Sequence, residues 1–306
     1  MNNKLKGSIF VFLGACSFGI LSTIVKTAYG EGYTLGQVTG CQTFSGMLLL
    51  WGVYLLQKGM MKPKTVNKDK DNNTTPATKW WKVCLAGTFT GLVGIFYYQS
   101  VKLLPASIAI ILLMQYLWIS MVIEAIVFRK KPTRMQIIAA CIVFVGTFFA
   151  GGLLNDSITL NLRGIVFGFL AATAYALFLI VSGRVGNDLP TLKKGALMIT
   201  GSCIITFIIF PPLFFFDGTL LGGLYKWGLA LAVFGTVIPP LFFSYGMPKT
   251  GVSLGAILSA AELPVAVLSS FFILQESVEI LQWMGVGLIL FAIVLPNLRF
   301  VKRRKK

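Results

Sequence analysis

Two carboxylates fall within the long apolar runs of this 306-residue chain, Glu124 and Glu262. A charge near the centre of a bilayer is costly on even the most lenient insertion scale, so each needs a partner or a purpose. Glu124 stands four residues before Phe128-Arg129, at the end of its run, where it can reach the membrane interface or pair with Arg129 and Lys130 in a structural role. Glu262 lies about 12 residues into its run, about 18 Å along a helix rising 1.5 Å per residue, and so near the midplane. Two chemistries suit it there: a protonated or hydrogen-bonded Glu that locks its helix beside Pro264, or an anchor for a substrate amine that doubles as a protonation site for coupling. Gln115 and Tyr116 lie about 15 Å into an earlier run by the same rise, either as substrate contacts or in interhelical hydrogen bonds. Phe18, Tyr98, Trp118, Tyr175 and Tyr245 offer rings that can stack on a flat solute or pack on lipid and neighbouring helices. Pro239-Pro240 removes backbone donors within one run, which predicts a bend and a candidate hinge; Pro264 is a third hinge candidate.

The same inventory excludes other chemistry. The chain has no histidine, which removes Ser-His and Cys-His nucleophilic pairs, the H-E-x-x-H zinc helix and the commonest proton shuttle. Cys16, Cys41, Cys84, Cys141 and Cys203 all lie in apolar runs and form no C-x-x-C pair, so they read as packing residues rather than a disulfide framework or a zinc site. No Walker A pattern occurs, so ATP hydrolysis is not expected on this chain. Neither an enzyme, a metal site nor a cofactor is predicted.

These residues must be positioned by membrane-spanning helices. At 56% hydrophobic and 12% charged residues, with mean hydropathy +0.80, the chain is far from soluble composition. Apolar runs near 8–28, 35–56, 82–102, 105–128, 135–152, 163–183, 195–216, 226–247, 250–273 and 281–298 are long enough to cross a bilayer. Only the connection from Gln57 to Trp81 is long, and its polar Lys62–Pro76 stretch predicts no fold. Leu13-Gly14-Ala15-Cys16 resembles a lipoprotein processing box, but the chain continues apolar to Val25, so the segment reads as an uncleaved first span. The net charge of +17 reflects topology rather than nucleic acid. With the N-terminus inside, 23 of the 27 Lys and Arg fall on the cytoplasmic side, and only Lys26, Lys102, Arg163 and Lys226 fall outside, as basic loops should.

The two halves repeat. Lys6-Gly7, Phe12-Leu13 and Phe18 match Arg163-Gly164, Phe169-Leu170 and Tyr175 at an offset of 157. Trp81, Ala86, Thr90, Phe96, Ser107 and Gln136 match Trp227, Ala232, Thr236, Phe242, Ser253 and Gln282 at an offset of 146. Five spans per half is an odd number, so the halves, 1–152 and 153–306, enter the membrane from opposite sides. The expected fold is an all-α integral membrane protein of ten helices in two inverted five-helix repeats, with both termini cytoplasmic, an arrangement suited to alternating access. Gly36-x-x-x-Gly40, Gly87-x-x-x-Gly91, Gly164-x-x-x-Gly168 and Gly251-x-x-x-Gly255 are read as close packing within the bundle.

The second half also carries Ala261-Glu262-Leu263-Pro264-Val265, Leu274-Gln275-Glu276 and Gln282-Trp283-Met284-Gly285. On these segments, the repeat and the span count, the chain resembles the EamA-type transporters of the drug/metabolite transporter superfamily over essentially its whole length. The first half departs from the pattern, with Tyr116, Trp118 and Lys130 at the positions of Glu262, Pro264 and Glu276. The resemblance implies a ten-helix basket around a central cavity and a secondary transporter. Such a protein exports small organic metabolites, amino acids or related compounds, across the cytoplasmic membrane; the alternatives are an importer of a metabolite or nucleobase, a passive channel or an intramembrane enzyme. Expected partners are a small-molecule substrate, membrane lipids and protons as a candidate coupling ion, with a monomeric protein and no nucleic acid.

Overall fold

The computed structural model describes residues 3–60, 78–104, 106–150, 161–273, 275 and 278–302, and the regular structure among them is entirely helical. The first half supplies α1 (Asn3–Gly30), α2 (Leu35–Met60), α3 (Trp80–Leu103), the pair α4 (Ala106–Leu113) and α5 (Tyr116–Val127), and α6 (Arg134–Ala150). The second supplies α7 (Leu162–Arg184), α8 (Thr191–Ile209), α9 (Tyr225–Leu231), α10 (Ile238–Thr250), the pair α11 (Val252–Ser259) and α12 (Glu262–Ile273), and α13 (Ile280–Lys302). Among the described residues, seven segments are long and apolar enough to cross a membrane: Asn3–Gly30, Leu35–Gly59, Ile108–Val127, Leu162–Arg184, Thr191–Ile209, Leu220–Thr250 and Val252–Ile273; Arg134–Ala150 and Ile280–Leu295 are shorter apolar helices. The protein is therefore an all-helical, multi-span membrane protein. The Lys62–Pro76 stretch, the boundary at 152–153, Glu276 and the last four basic residues lie outside the described residues.

Local chemistry sets the helix starts. Thr34 and Gln37 form a capping box, in which the Thr34 N–H and hydroxyl donate to Gln37 Oε1 at 2.9 and 3.0 Å. Thr133 and Gln136 repeat it ahead of α6, at 2.8 and 3.0 Å, and Gln282 accepts from the Glu279 N–H at 2.9 Å ahead of α13. Each satisfies N–H groups that a helix start leaves free.

Three runs read as continuous from the sequence are interrupted. The 105–128 run breaks at Met114-Gln115 and the 250–273 run at Ala260-Ala261. The two breaks share one hydrogen-bond pattern. Gln115 N–H reaches Leu112 O and Leu117 N–H reaches Met114 O, both at 3.1 Å, while Ala261 N–H reaches Leu258 O and Leu263 N–H reaches Ala260 O, both at 3.2 Å. The 226–247 run is interrupted by a wide π turn at Ala232–Val237 after α9, and an earlier π turn at Leu220–Leu224 precedes that helix. The helix does not break at Pro239-Pro240. These residues open α10 directly after the Ala232–Val237 π turn, within the continuous helical segment Leu220–Thr250. Pro264 likewise sits in the first turn of α12.

Helix α1 packs along α10 and α12; α7 packs along α3, α4 and α5; α6 lies on α13 and α2 on α8. One buried cluster runs through the bundle by way of Tyr116, Met121, Tyr175, Phe178, Phe243 and Met247. A smaller one, with Val25, Val38, Phe214, Leu224 and Leu231, fills the end where α1 finishes. The α3–α8 crossing is tight: a Cβ at Gly87 would fall on the Met198 carbonyl, and one at Gly201 on the Cys84 carbonyl. Gly87, Gly91, Gly164 and Gly168 thus serve packing within the bundle. Outside the bundle, the Thr78 hydroxyl and N–H donate to Asp188 at 2.5 and 2.8 Å and hold its carboxyl below the usual range.

Glu124 is buried but does not pair with Arg129 or Lys130. Helix α5 closes with Lys130 N–H on Glu124 O at 3.2 Å and Arg129 left-handed at φ 53°, an end motif that carries both cations away from the helix face. Instead Glu124 Oε1 accepts from Arg184 Nη2 at 3.2 Å. Its Oε2 accepts the Ser253 N–H at 3.0 Å and hydroxyl at 2.6 Å. One carboxylate thus ties the ends of α5 and α7 to the start of α11.

Candidate functional site: a central polar cavity

A cavity of about 100 Å³ lies at the centre of the bundle. One wall comes from α1, α7 and α12, with Phe18, Tyr175, Phe178 and Glu262; Tyr97 and Tyr98 of α3 continue it. The other comes from α2, α3, α8 and the second π turn, with Thr39, Gln42, Thr43, Thr90, Ser202 and Thr236. The lining thus combines a carboxylate, aromatic faces and neutral polar groups, the mixture that orients a small organic solute.

Helix interruption is what brings Glu262 here. The break at Ala260-Ala261 makes it the first residue of α12, where the helix N-terminus favours a negative group. Tyr175 Oη donates to its Oε2 at 3.2 Å, and the Tyr175 ring is edge-on to Phe18 with centroids 6.1 Å apart. Gly19 lets α1 approach: a Cβ there would sit 2.5 Å from the Glu262 carbonyl oxygen and 2.7 Å from Val265 Cβ. Of the residues singled out from repeat and depth, the fold brings Phe18, Tyr98, Tyr175 and Glu262 around one cavity.

The other predicted contacts lie elsewhere. Tyr116 is fully buried behind Tyr175, ring centroids 4.4 Å apart, with its hydroxyl on the Ala256 carbonyl at 3.3 Å; it backs the site without lining the cavity. Trp118 faces outward, 48% exposed, and donates its indole N–H to Gln115 Oε1 at 2.6 Å. Gln115 also returns its amide to the Ile111 carbonyl at 3.0 Å, so both residues cover the α4–α5 break rather than a solute. Tyr245 packs on Phe10, centroids 4.7 Å apart, under Lys249 Nζ, 2.9 Å from its ring centre, near the start of α1. Pro239 and Pro240 adjoin the cavity through the π turn that carries Thr236.

Sequence reasoning passed over Tyr97, Phe178 and the whole hydroxyl wall. Thr90 and Thr236 were in view as a repeat pair; the signal available was that both are polar and recur at the same offset of 146.

A family model described as the EamA-like transporter family matches residues 5–152 and again 162–298. Among curated proteins, the chain is 24% identical to "Uncharacterized transporter YcbK" of Bacillus subtilis (strain 168), over 98% of this chain and 95% of that protein. It is 25% identical to "Uncharacterized transporter sll1319" of Synechocystis sp. (strain ATCC 27184 / PCC 6803 / Kazusa), over 97% and 94%. A solved crystal structure superposes with a TM-score of 0.72 at 15% identity, covering 95% of this chain and 97% of that one, a likeness of fold. A family model that accounts for both halves of the chain, and so for every helix that lines the cavity, places the protein in the EamA-like transporter family.

Proposed function

We propose that the protein is a secondary active transporter that exports small organic solutes across the cytoplasmic membrane by alternating access, with Glu262 as the central solute contact. The observation that carries this reading is a half-buried carboxylate in a cavity lined by rings and hydroxyl-bearing side chains. The two halves act as inverted five-helix repeats, 1–152 and 153–306, crossing the membrane ten times with both termini in the cytoplasm. Support comes from the shared hydrogen-bond pattern of the two helix breaks at an offset of 146, from the family model matching twice and from the matched packing of α1 on α10 and α7 on α3.

In this topology the Glu124–Arg184–Ser253 tie and the Met121, Phe243 and Met247 layer close the cytoplasmic side. The smaller cluster and the Trp227 N–H bond to Glu31 at 2.7 Å lie on the outer side. Exchange of the two closures moves the cavity between faces, and a proton on Glu262 couples solute to the gradient. The transporter acts as a monomer.

The test is counterflow in proteoliposomes, with preloaded solute exchanged for labelled external solute. Wild type should show saturable exchange, and Glu262→Gln should slow it by at least about tenfold, the worth of one charge-assisted hydrogen bond. Gly94 lines the cavity, and a Cβ there meets only Thr39 Cγ2 at 4.0 Å. Gly94→Val should therefore leave thermal stability unchanged while filling the cavity and abolishing exchange. Equal rates in all three proteins would overturn the site, and flux without saturation would indicate a channel.

A further inference from the structure

The cavity holds a negative group and no positive one. Among the described residues, neither Lys nor Arg lines it. The interior cations are engaged elsewhere: Arg184 is held by Glu124 at 3.2 Å, and Lys194 donates to the Ser182 carbonyl at 2.7 Å and Asn187 Oδ1 at 2.8 Å. The wall across from Glu262 is neutral but not satisfied. Thr39 Oγ1, Thr90 Oγ1 and Ser202 Oγ are buried and have no hydrogen-bond partner. By contrast, the Thr43 and Thr236 hydroxyls on the same wall bond to carbonyls one turn back, at 3.0 and 2.8 Å. Buried hydroxyls without partners are uncommon in folded proteins; among those of the described residues, these three come from separate helices, α2, α3 and α8, whose residues line one cavity.

We propose that the cavity selects small organic monoamines bearing a neutral hydrogen-bonding group, a hydroxyl or an amide, and discriminates against zwitterionic amino acids. This deepens the transporter reading and rests on it. An ammonium placed beside Glu262 and the rings of Phe18 and Tyr98 receives both a counter-charge and cation–π attraction. Its neutral end then lies toward the wall that carries the three unbonded hydroxyls, which a rotation of the side chain turns to meet it. With Glu262 ionised, a monoamine leaves the filled cavity neutral, whereas a zwitterion leaves one uncompensated negative charge in a place with no cation to balance it, a costly burial. Size points the same way: the cavity, about 100 Å³, is smaller than the ~150 Å³ apolar cavity that admits benzene, so a compact aliphatic chain fits better than a ring.

The test uses purified full-length protein and four matched solutes: valinol and valinamide as monocations, valine as the zwitterion and isovalerate as the acid lacking the amine. Equilibrium binding is read by ligand-dependent thermal stabilisation, and exchange is read separately in proteoliposomes. Valinol and valinamide should bind at least about tenfold more tightly than valine, and isovalerate should not bind. Glu262→Gln should lose the amine preference, and Ser202→Ala should weaken valinol while leaving the unfolding temperature of the free protein unchanged. Valine binding as tightly as valinamide, or binding by neither amine, overturns the proposal, whatever the vesicles transport. Amine-selective binding without exchange supports the proposal and overturns the transporter reading instead.

Discussion

Replacing Glu124 with Ala should lower the stability of the folded protein by about 3–5 kcal/mol, the range for removing one partner from a buried pair. The carboxylate accepts three hydrogen bonds, one from Arg184 and two from Ser253. Its loss leaves the Arg184 guanidinium against the Phe128 ring, 3.6 Å from its centre, and the Ser253 N–H in the first turn of α11 without an acceptor. Because the Arg184 side chain is 28% exposed, water relieves part of its cost, and the effect belongs at the lower end of the range. Thermal unfolding in detergent measures it. Glu124→Gln keeps an acceptor for Ser253 and should cost less than half as much. An unchanged unfolding temperature in Glu124→Ala would show that the tie contributes nothing net.

Gly201→Leu should fail to give a folded protein. The α3–α8 crossing brings backbone against backbone, with the Cys84 carbonyl where a Cβ on residue 201 would lie. Overpacking in a core usually costs 1–3 kcal/mol because side chains shift; here nothing short of separating two helices makes room, and the cost should exceed about 4 kcal/mol. Gly52→Leu is the control, since a Cβ on Gly52 meets nothing within 4 Å. Size-exclusion profiles of the detergent-extracted proteins decide the matter: a monodisperse Gly201→Leu peak at the wild-type position would refute the expectation.

Hydropathy locates apolar helix well, because twenty apolar residues have few alternatives in a bilayer. It is blind to interruptions that leave the run apolar on average. Ala260-Ala261 and Met114-Gln115 carry no glycine or proline to mark the breaks, so the position of Glu262 at a helix start was not legible. The double proline at 239–240 predicted a bend at its own position, whereas the chain shows a π turn over the six residues Ala232–Val237 before it. Depth along a span follows from counting residues, yet the direction a side chain faces does not when the helix is apolar all round. Phe18 and Tyr175, paired by the repeat, turned inward; Trp118 and Tyr245, chosen by depth and ring type, did not. The hydroxyl wall was hidden for a further reason: a Ser or Thr in a helix ordinarily returns its hydroxyl to its own backbone, and only the assembled bundle shows that Thr39, Thr90 and Ser202 do not.

The Glu124 tie spans 60 residues to Arg184 and 129 to Ser253, which sets an order of events during biosynthesis. A ribosome adding about 5–20 residues per second delivers Ser253 roughly 6–26 s after Glu124. Over the first 60 of those residues neither partner of the carboxylate has been made, and from then until Ser253 it has Arg184 alone. A buried carboxylate without partners is costly, so the final seating of α5 in the bundle is expected to follow synthesis of the second half.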